Sequence, residues 1–306
     1  MHQVSASIVA FRNVPSELTA AISSVLSPPS LATCTVVDNS SDPSLKDCVV
    51  AAGANYVFAG KNLGFGRGHN LTLRTQLKRS PYQLVLNPDI CFGPEVLPTL
   101  TAFMDANPSV GLVMPQIVYP DGSEQRLCKL LPTPSDLIVR RFLGRLGGTL
   151  FRKRLHDYEM RSFDMSVIRE VPSLSGCFMF IRSSVLEEIG LFDPRFFMYM
   201  EDVDLCRRIG SHSKTIFFPY VFVVHGFAKG SYQNWKLLKS HAESAIKYFS
   251  KWGWTNDSSA KKLNQRITTF TPVAFQAHTF TRGGIWGQSN SPFGDTGFRN
   301  QVARDY

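Results

Sequence analysis

The amino-acid sequence predicts an α/β fold, a mostly parallel sheet flanked by helices, with a basic helical extension at its C-terminal end. Three observations lead to it. Short β-rich runs alternate with helical patterns through the first hundred residues, at the interval of βαβ units. Polar residues gather where those runs end, and parallel sheets bind ligands beyond the carboxyl ends of their strands. A hydrophobic content of 43% supports a full core and excludes a disordered or fibrous chain.

Residues 4–11 (VSASIVAF) are the first β-rich run, and residues 16–27 a helical pattern opened by Ser16. Residues 32–42 (ATCTVVDNSSD) form a second strand that closes in a polar turn. Residues 45–53 read as a helix stopped by Gly53, and 55–60 as a third strand. A helix over 66–80 is entered through glycines, and 82–90 (YQLVLNPDI) is a fourth strand. A helix over 94–108 and a strand over 110–119 follow. Residues 135–161 are basic and amphipathic, with Gly147 and Gly148 at their centre. Residues 174–193 give a strand, a helix capped by Ser183 or Ser184, and a turn at Gly190. An acidic helix begins near Met200, and 214–225 (KTIFFPYVFVVH) is a strand. Beyond His225 the pattern is helical and basic, and from about residue 268 periodicity fades. The economical division is an α/β domain over residues 1–228, a helical basic extension over 229–267, and an irregular or partly disordered tail over 268–306.

The net charge of +9 favours anionic partners: nucleotides, nucleic acid or an acidic membrane surface. No recognition helix or aromatic–basic platform supports nucleic acid. No GxGxxG fingerprint supports a dinucleotide oxidoreductase. The six cysteines lie far apart without a CxxC pair, which reads as reduced, mostly buried thiols in the cytosol. The N-terminal stretch is too short and polar for a signal peptide, and no uncharged run approaches the roughly 18–20 residues that span a bilayer. A cytoplasmic chain, soluble or peripherally attached, is the expectation.

Several strand ends carry residues suited to chemistry. Asp38, followed by Asn39 and Ser40, sits where a carboxylate can hydrogen-bond a nucleobase imide or a ribose hydroxyl; an Asx-turn would use the same residues. Residues 61–70 (KNLGFGRGHN) are a glycine-rich entry to a helix, compatible with a phosphate or nucleotide loop or with a plain connection. Asp89 ends an apolar strand two residues after Asn87, and one such carboxylate with substrate phosphates can hold Mg²⁺; a structural turn is the alternative. Residues 196–206 (FFMYMEDVDLC) place Glu201, Asp202 and Asp204 directly after an aromatic run. A helix dipole explains acidic residues in a first turn, but a sheltered carboxylate beside aromatics is also what a general base requires. His225 closes an apolar strand and could be a third metal ligand or an ordinary core histidine.

In their order, SIVAFRN, VVDNSS, NLGFGRGHN, LNPDI, SGCFMFIRSSVLEEIGLFDPRFFMYMEDVDLCRR and PYVFVVHGFAKGS resemble the inverting glycosyltransferases of family 2, across about residues 4–250. Within them the chain looks most like bacterial rhamnosyltransferases of O-antigen and cell-wall assembly. The resemblance implies a GT-A fold with a Rossmann-like sheet, Mg²⁺ or Mn²⁺ as cofactor, and a nucleotide-sugar donor, dTDP-L-rhamnose favoured. It implies that Asp38 contacts the base. The loop, through Asn62, Gly64, Phe65, Gly66 and Asn70, would line the nucleotide together with Asn39 and Asn87. Asn87–Pro88–Asp89 matches the family's DxD element with Asn in the first place, so Asp89 becomes the metal ligand and His225 the downstream histidine that completes the metal shell. Glu201 and Asp202 match the ED element, with Asp202 as base, Glu201 orienting the acceptor and Asp204 only beginning the helix. The acceptor implied is a glycan on a polyprenyl diphosphate. A basic amphipathic stretch that includes Arg140, Arg141, Arg145, Arg152, Lys153 and Arg154 would then lie on the anionic inner face of the plasma membrane; an ordinary solvated helix is the alternative. The substituted DxD leaves one rival, a nucleotide-sugar-binding module of the same fold without turnover.

Overall fold

The computed structural model describes residues 2–27, 30–139, 149–226 and 235–272. Nine strands form one sheet: β1 (Val4–Ala10), β2 (Ala32–Asp38), β3 (Asn55–Phe58), β4 (Tyr82–Leu86), β5 (Ile90–Cys91), β6 (Val110–Val118), β7 (Arg169–Glu170), β8 (Phe178–Arg182) and β9 (Lys214–His225). The helices are α1 (Pro15–Leu26), α2 (Lys46–Ala51), α3 (Phe65–Gln76), α4 (Val96–Ala106), α5 (Pro134–Ile138), α6 (Thr149–Tyr158), α7 (Ser183–Ile189), α8 (Glu201–Gly210), α9 (Trp235–Trp252) and α10 (Ser258–Asn264).

The strand order is β3-β2-β1-β4-β8-β6-β9-β5, with β7 also paired to β9. Strands β3, β2, β1 and β4 are mutually parallel, as are β6 and β9. Between these two parallel sets β8 runs antiparallel to both neighbours, and the two-residue strands β5 and β7 are antiparallel to β9. The central strands are buried on both faces, which is why they read as nearly continuous apolar runs. Helix α1 starts with Pro15, whose missing N–H costs nothing at that position, and it buries Leu18, Ala21, Ile22 and Val25 at helical spacing.

Three local features differ from the sequence reading. The strand expected over 82–90 stops at Leu86; Pro88 removes a ladder donor, and the chain resumes as β5 against the end of β9. Ser183 does not cap α7: Arg182 holds the cap position, and Ser183 Oγ instead donates to Ser80 O at 2.5 Å. Residues 268–270 are regular enough to pair with the β7 edge, through Glu170 N–H to Thr268 O at 3.0 Å and Phe270 N–H to Ile168 O at 2.9 Å.

Helices α9 and α10 dock on α8. Arg207, 1% exposed, donates to both carboxylate oxygens of Asp257 at 2.6 Å and lies 3.9 Å from the Trp252 ring centre. An apolar cluster of Leu137, Phe196, Met200, Tyr248 and Phe249 fills the same seam. Of the basic amphipathic stretch, Arg154 donates to Asp136 at 2.6 Å, within reach of a capping box at Thr133. Arg140, Arg141 and Arg145 lie outside the described residues, as do residues 229–234 of the extension and 273–306 of the tail.

Candidate active site

The carboxyl ends of β1, β2 and β4 lie side by side, and β8 begins beside them because it runs the other way. Asp38, at the end of β2, is fully buried; its Oδ1 accepts Ser40 N–H at 2.9 Å and its Oδ2 accepts the Tyr56 hydroxyl at 2.8 Å. Burial, together with that bond and the Asp38 charge, pushes the Tyr56 phenol above its ordinary range. Asn39 Nδ2 donates to Gly64 O at 3.1 Å, while its buried Oδ1 accepts no hydrogen bond.

The glycine-rich loop is drawn tightly against the aromatic run before α8. Asn62 Oδ1 accepts Gly64 N–H at 2.9 Å, and Phe65 N–H donates to Phe197 O at 3.0 Å. Gly64 has φ +80°, and a Cβ there would lie 2.0 Å from Phe197 O, so both conformation and space demand glycine. A Cβ on Gly66 would likewise press 2.8 Å from Phe192 Cβ. The Phe65 ring meets His69 edge-on at 4.4 Å. Asn70 faces inward: its amide exchanges two bonds with the Phe192 backbone, at 2.8 and 3.1 Å, tying α3 to the segment before α8.

On the β4 side, Asn87, Asp89 and His225 converge. His225 Nε2 stands 3.4 Å from Asp89 Oδ1 and 3.4 Å from Asn87 Nδ2. Gln125 donates from Nε2 to His225 O at 2.9 Å, which directs its Oε1 to His225 Nδ1 at 3.0 Å. A carboxamide oxygen only accepts, so with Nδ1–H donating to Gln125 the Nε2 lone pair accepts from Asn87 Nδ2 beside Asp89. Asp89 Oδ1 is buried and accepts no hydrogen bond. An orphaned carboxylate oxygen beside an oriented imidazole nitrogen fits a divalent cation whose other ligands come from a diphosphate. No group of three His, Cys, Asp or Glu side chains suited to a metal occurs among the described residues.

The acidic pair occupies the first turn of α8. Glu201 is 5% exposed, its Oε2 accepts no hydrogen bond, and burial followed by the charge of Asp202 pushes its carboxyl up to about 8. Asp202, half-buried, accepts Gly176 N–H at 3.1 Å on Oδ2 and Val203 N–H at 2.8 Å on Oδ1. The next residue along β8's entry, Cys177, accepts Asn87 N–H at 2.9 Å through its carbonyl. One dipeptide, Gly176 and Cys177, therefore binds Asp202 on one side and the Asn87 turn on the other. Burial and the charges of Asp89 and Asp202, opposed by a Ser175 hydrogen bond, push the Cys177 thiol up to about 12.

Asp204 does more than begin a helix. It is completely buried and accepts from Arg208 Nε at 2.9 Å, Lys251 Nζ at 2.6 Å and Trp252 Nε1 at 2.8 Å. The chain enters α8 through Tyr199 and Met200, both left-handed with φ 67° and 65°. Side chains other than glycine pay on the order of 1 kcal/mol or more each for that conformation, and such residues cluster at functional sites. Tyr56, Gln125 and Gly176 were missed by sequence reasoning. The Pro120, Asp121, Gly122 turn signal could have flagged the reversal that carries Gln125 back beside His225.

Asp38 and Asn39 thus stand at the end of β2, Asn87 and Asp89 just after β4, His225 at the end of β9 and Asp202 against the entry to β8, with Asp38 two strand spacings, about 10 Å, from the end of β4. The family described as glycosyltransferase like family 2 matches residues 2–243. An N-acetylglucosaminyl-diphospho-decaprenol L-rhamnosyltransferase of Mycobacterium tuberculosis is 30% identical over 179 residues, covering 54% of this chain and 56% of that protein. The rhamnosyltransferase WbbL of Escherichia coli is 25% identical over 210 residues, covering 65% and 75%. The chain thus spans between about half and three quarters of the length of these relatives. Among solved structures, the mannosyltransferase PcManGT of Pyrobaculum calidifontis, in complex with GDP-Man and Mn²⁺, superposes with a TM-score of 0.57 at 15% identity, covering 86% of this chain and 68% of that one. The fold is GT-A.

Proposed function

Because the chain belongs to the glycosyltransferase like family 2, we propose that it transfers a sugar with inversion from a nucleotide donor, L-rhamnose from dTDP-L-rhamnose, to a hydroxyl of a lipid-linked glycan. The observation that supports this reading is the pair of bonds at Gly176 and Cys177, which tie Asp202 and the start of the Asn87–Pro88–Asp89 turn to one dipeptide. The rhamnose assignment is supported by the names of the two relatives.

In this reading Asp38 and Tyr56 meet the base, and Asn39 Oδ1 and the loop from Asn62 to Gly66 line the nucleotide. Asp89 and His225 would hold Mg²⁺ or Mn²⁺, which would supply charge neutralisation for the departing diphosphate. Asp202 takes the proton from the acceptor hydroxyl as that oxygen attacks the anomeric carbon from the face opposite the diphosphate. One displacement inverts the centre, and no second nucleophilic carboxylate is required. Burial and the Asp202 charge push the Glu201 carboxyl up to about 8, which favours the protonated form that can donate a hydrogen bond to the acceptor rather than compete as a base.

A polyprenyl diphosphate acceptor, like the one printed in the name of the mycobacterial relative, would be met at a membrane surface. No helix among the described residues is long and apolar enough to cross a membrane. The net charge of +9 supports a peripheral position on an anionic leaflet. A thermal-shift screen of dTDP-, UDP- and GDP-sugars with Mn²⁺ or Mg²⁺ tests the donor, because a ligand bound by the native state raises the melting temperature. The largest shift should come from dTDP-L-rhamnose; a larger shift from a GDP-sugar would remove the rhamnose assignment.

A further inference from the structure

The turn that leads into the carboxylate pair is held from two sides. Tyr199 and Met200 are consecutive left-handed residues and neither is glycine, so their conformation persists only where neighbours over-determine it. The loop at Phe65 grips the turn through Phe197 O at 3.0 Å. On the other side stands α9. Ser244, 1% exposed, donates from Oγ to Met198 O at 2.8 Å. His241 meets the Tyr199 ring edge-on at 5.1 Å, and Tyr248 and Phe249 pack with Met200.

Asp204 adds a rotational constraint. Side chains two residues apart on a helix point about 200° from one another. Anchoring Asp204 to Lys251 and Trp252 of α9 therefore turns Asp202 the other way, towards Gly176, where it is found. The two anchors act on different parts of one presentation: Ser244 fixes the turn, and Asp204 fixes the rotation of α8.

We propose that Ser244 and Asp204 are positioning residues for the transfer, through which α9 holds the turn at Tyr199 and Met200 and aims Asp202 at the acceptor. The proposal rests on the reading of Asp202 as the base. Neither residue needs to touch substrate. Removing the Ser244 hydroxyl leaves the half-buried Met198 carbonyl without that partner, and a misplacement of the order of 1 Å in a reacting group is enough to slow a reaction substantially.

The test compares Ser244→Ala, Ser244→Thr and Asp204→Asn with the unaltered full chain by amide hydrogen exchange and by steady-state kinetics. The substrates are dTDP-L-rhamnose and a synthetic N-acetylglucosaminyl diphospholipid. Ser244→Ala and Asp204→Asn should exchange faster over residues 197–204 while β1 and β2 keep their protection. Both should lose about tenfold in kcat with donor KM within about twofold of the starting value, and Ser244→Thr, which keeps the hydroxyl, should recover part of the loss. Unchanged exchange over 197–204, or faster exchange with unchanged kcat, would overturn the proposal. Asp202→Asn assayed alongside separates the two readings. Its retained turnover removes the base assignment, whereas its inactivity beside Ser244→Ala at full kcat removes the positioning role alone.

Discussion

Glu201 sits where ionisation is opposed from two directions. Its carboxyl is buried against Asp202, and both burial and that charge oppose ionisation. The folded protein thus keeps a proton that the unfolded chain releases near the ordinary glutamate range. Protons bound in excess by the native state make stability fall as pH rises, so this contribution is full below about pH 4.5 and disappears progressively up to about 8. Glu201→Gln mimics the protonated form and should flatten that decline in urea titrations between pH 5 and 8. An unaltered slope would mean that Glu201 is ionised in the fold. Asp89 and Asp202 were visible in the sequence because each is a carboxylate at the edge of an apolar run. Tyr56, Gln125 and Gly176 were not, because they act by meeting Asp38, His225 and Asp202 across the fold.

Helix α8 joins the candidate site to the C-terminal helices, and its two ends carry different duties. Its first turn presents Glu201 and Asp202, while Arg207 in its last turn is bound by Asp257 from the start of α10. Breaking a buried ion pair by removing one partner strands the other charge. Asp257→Ala should therefore lower the unfolding free energy by about 3 kcal/mol, read from denaturant titration. A loss within experimental scatter would show that Arg207 finds compensation from Tyr248 or Ser259, which it also approaches. The strand and helix sequence from β1 to β4 was legible from alternating apolar runs. The reversed direction of β8 was not, since a strand's pattern carries no sign of its orientation. Asp204 looked like a helix starter because its true partners, Lys251 and Trp252, lie 47 and 48 residues further along the chain.

Across the whole molecule, Gly176 and Cys177 join the end of β4 to the first turn of α8, since one bonds Asp202 and the other Asn87. Motif order was informative where single motifs were weak because the short motifs border different strands and helices, and the topology lines those elements up. Chelation by EDTA should abolish transfer and Mn²⁺ or Mg²⁺ should restore it, with Asp89→Ala raising the metal concentration needed by at least about tenfold. Metal-independent turnover would remove Asp89 and His225 from the reaction. The most direct measurement is the pair of values kcat for transfer and Kd for donor in Asp202→Asn, the latter by calorimetry. A base assignment predicts a kcat lowered by about 100-fold or more with Kd within a factor of about three. Turnover close to that of the unaltered protein would contradict it.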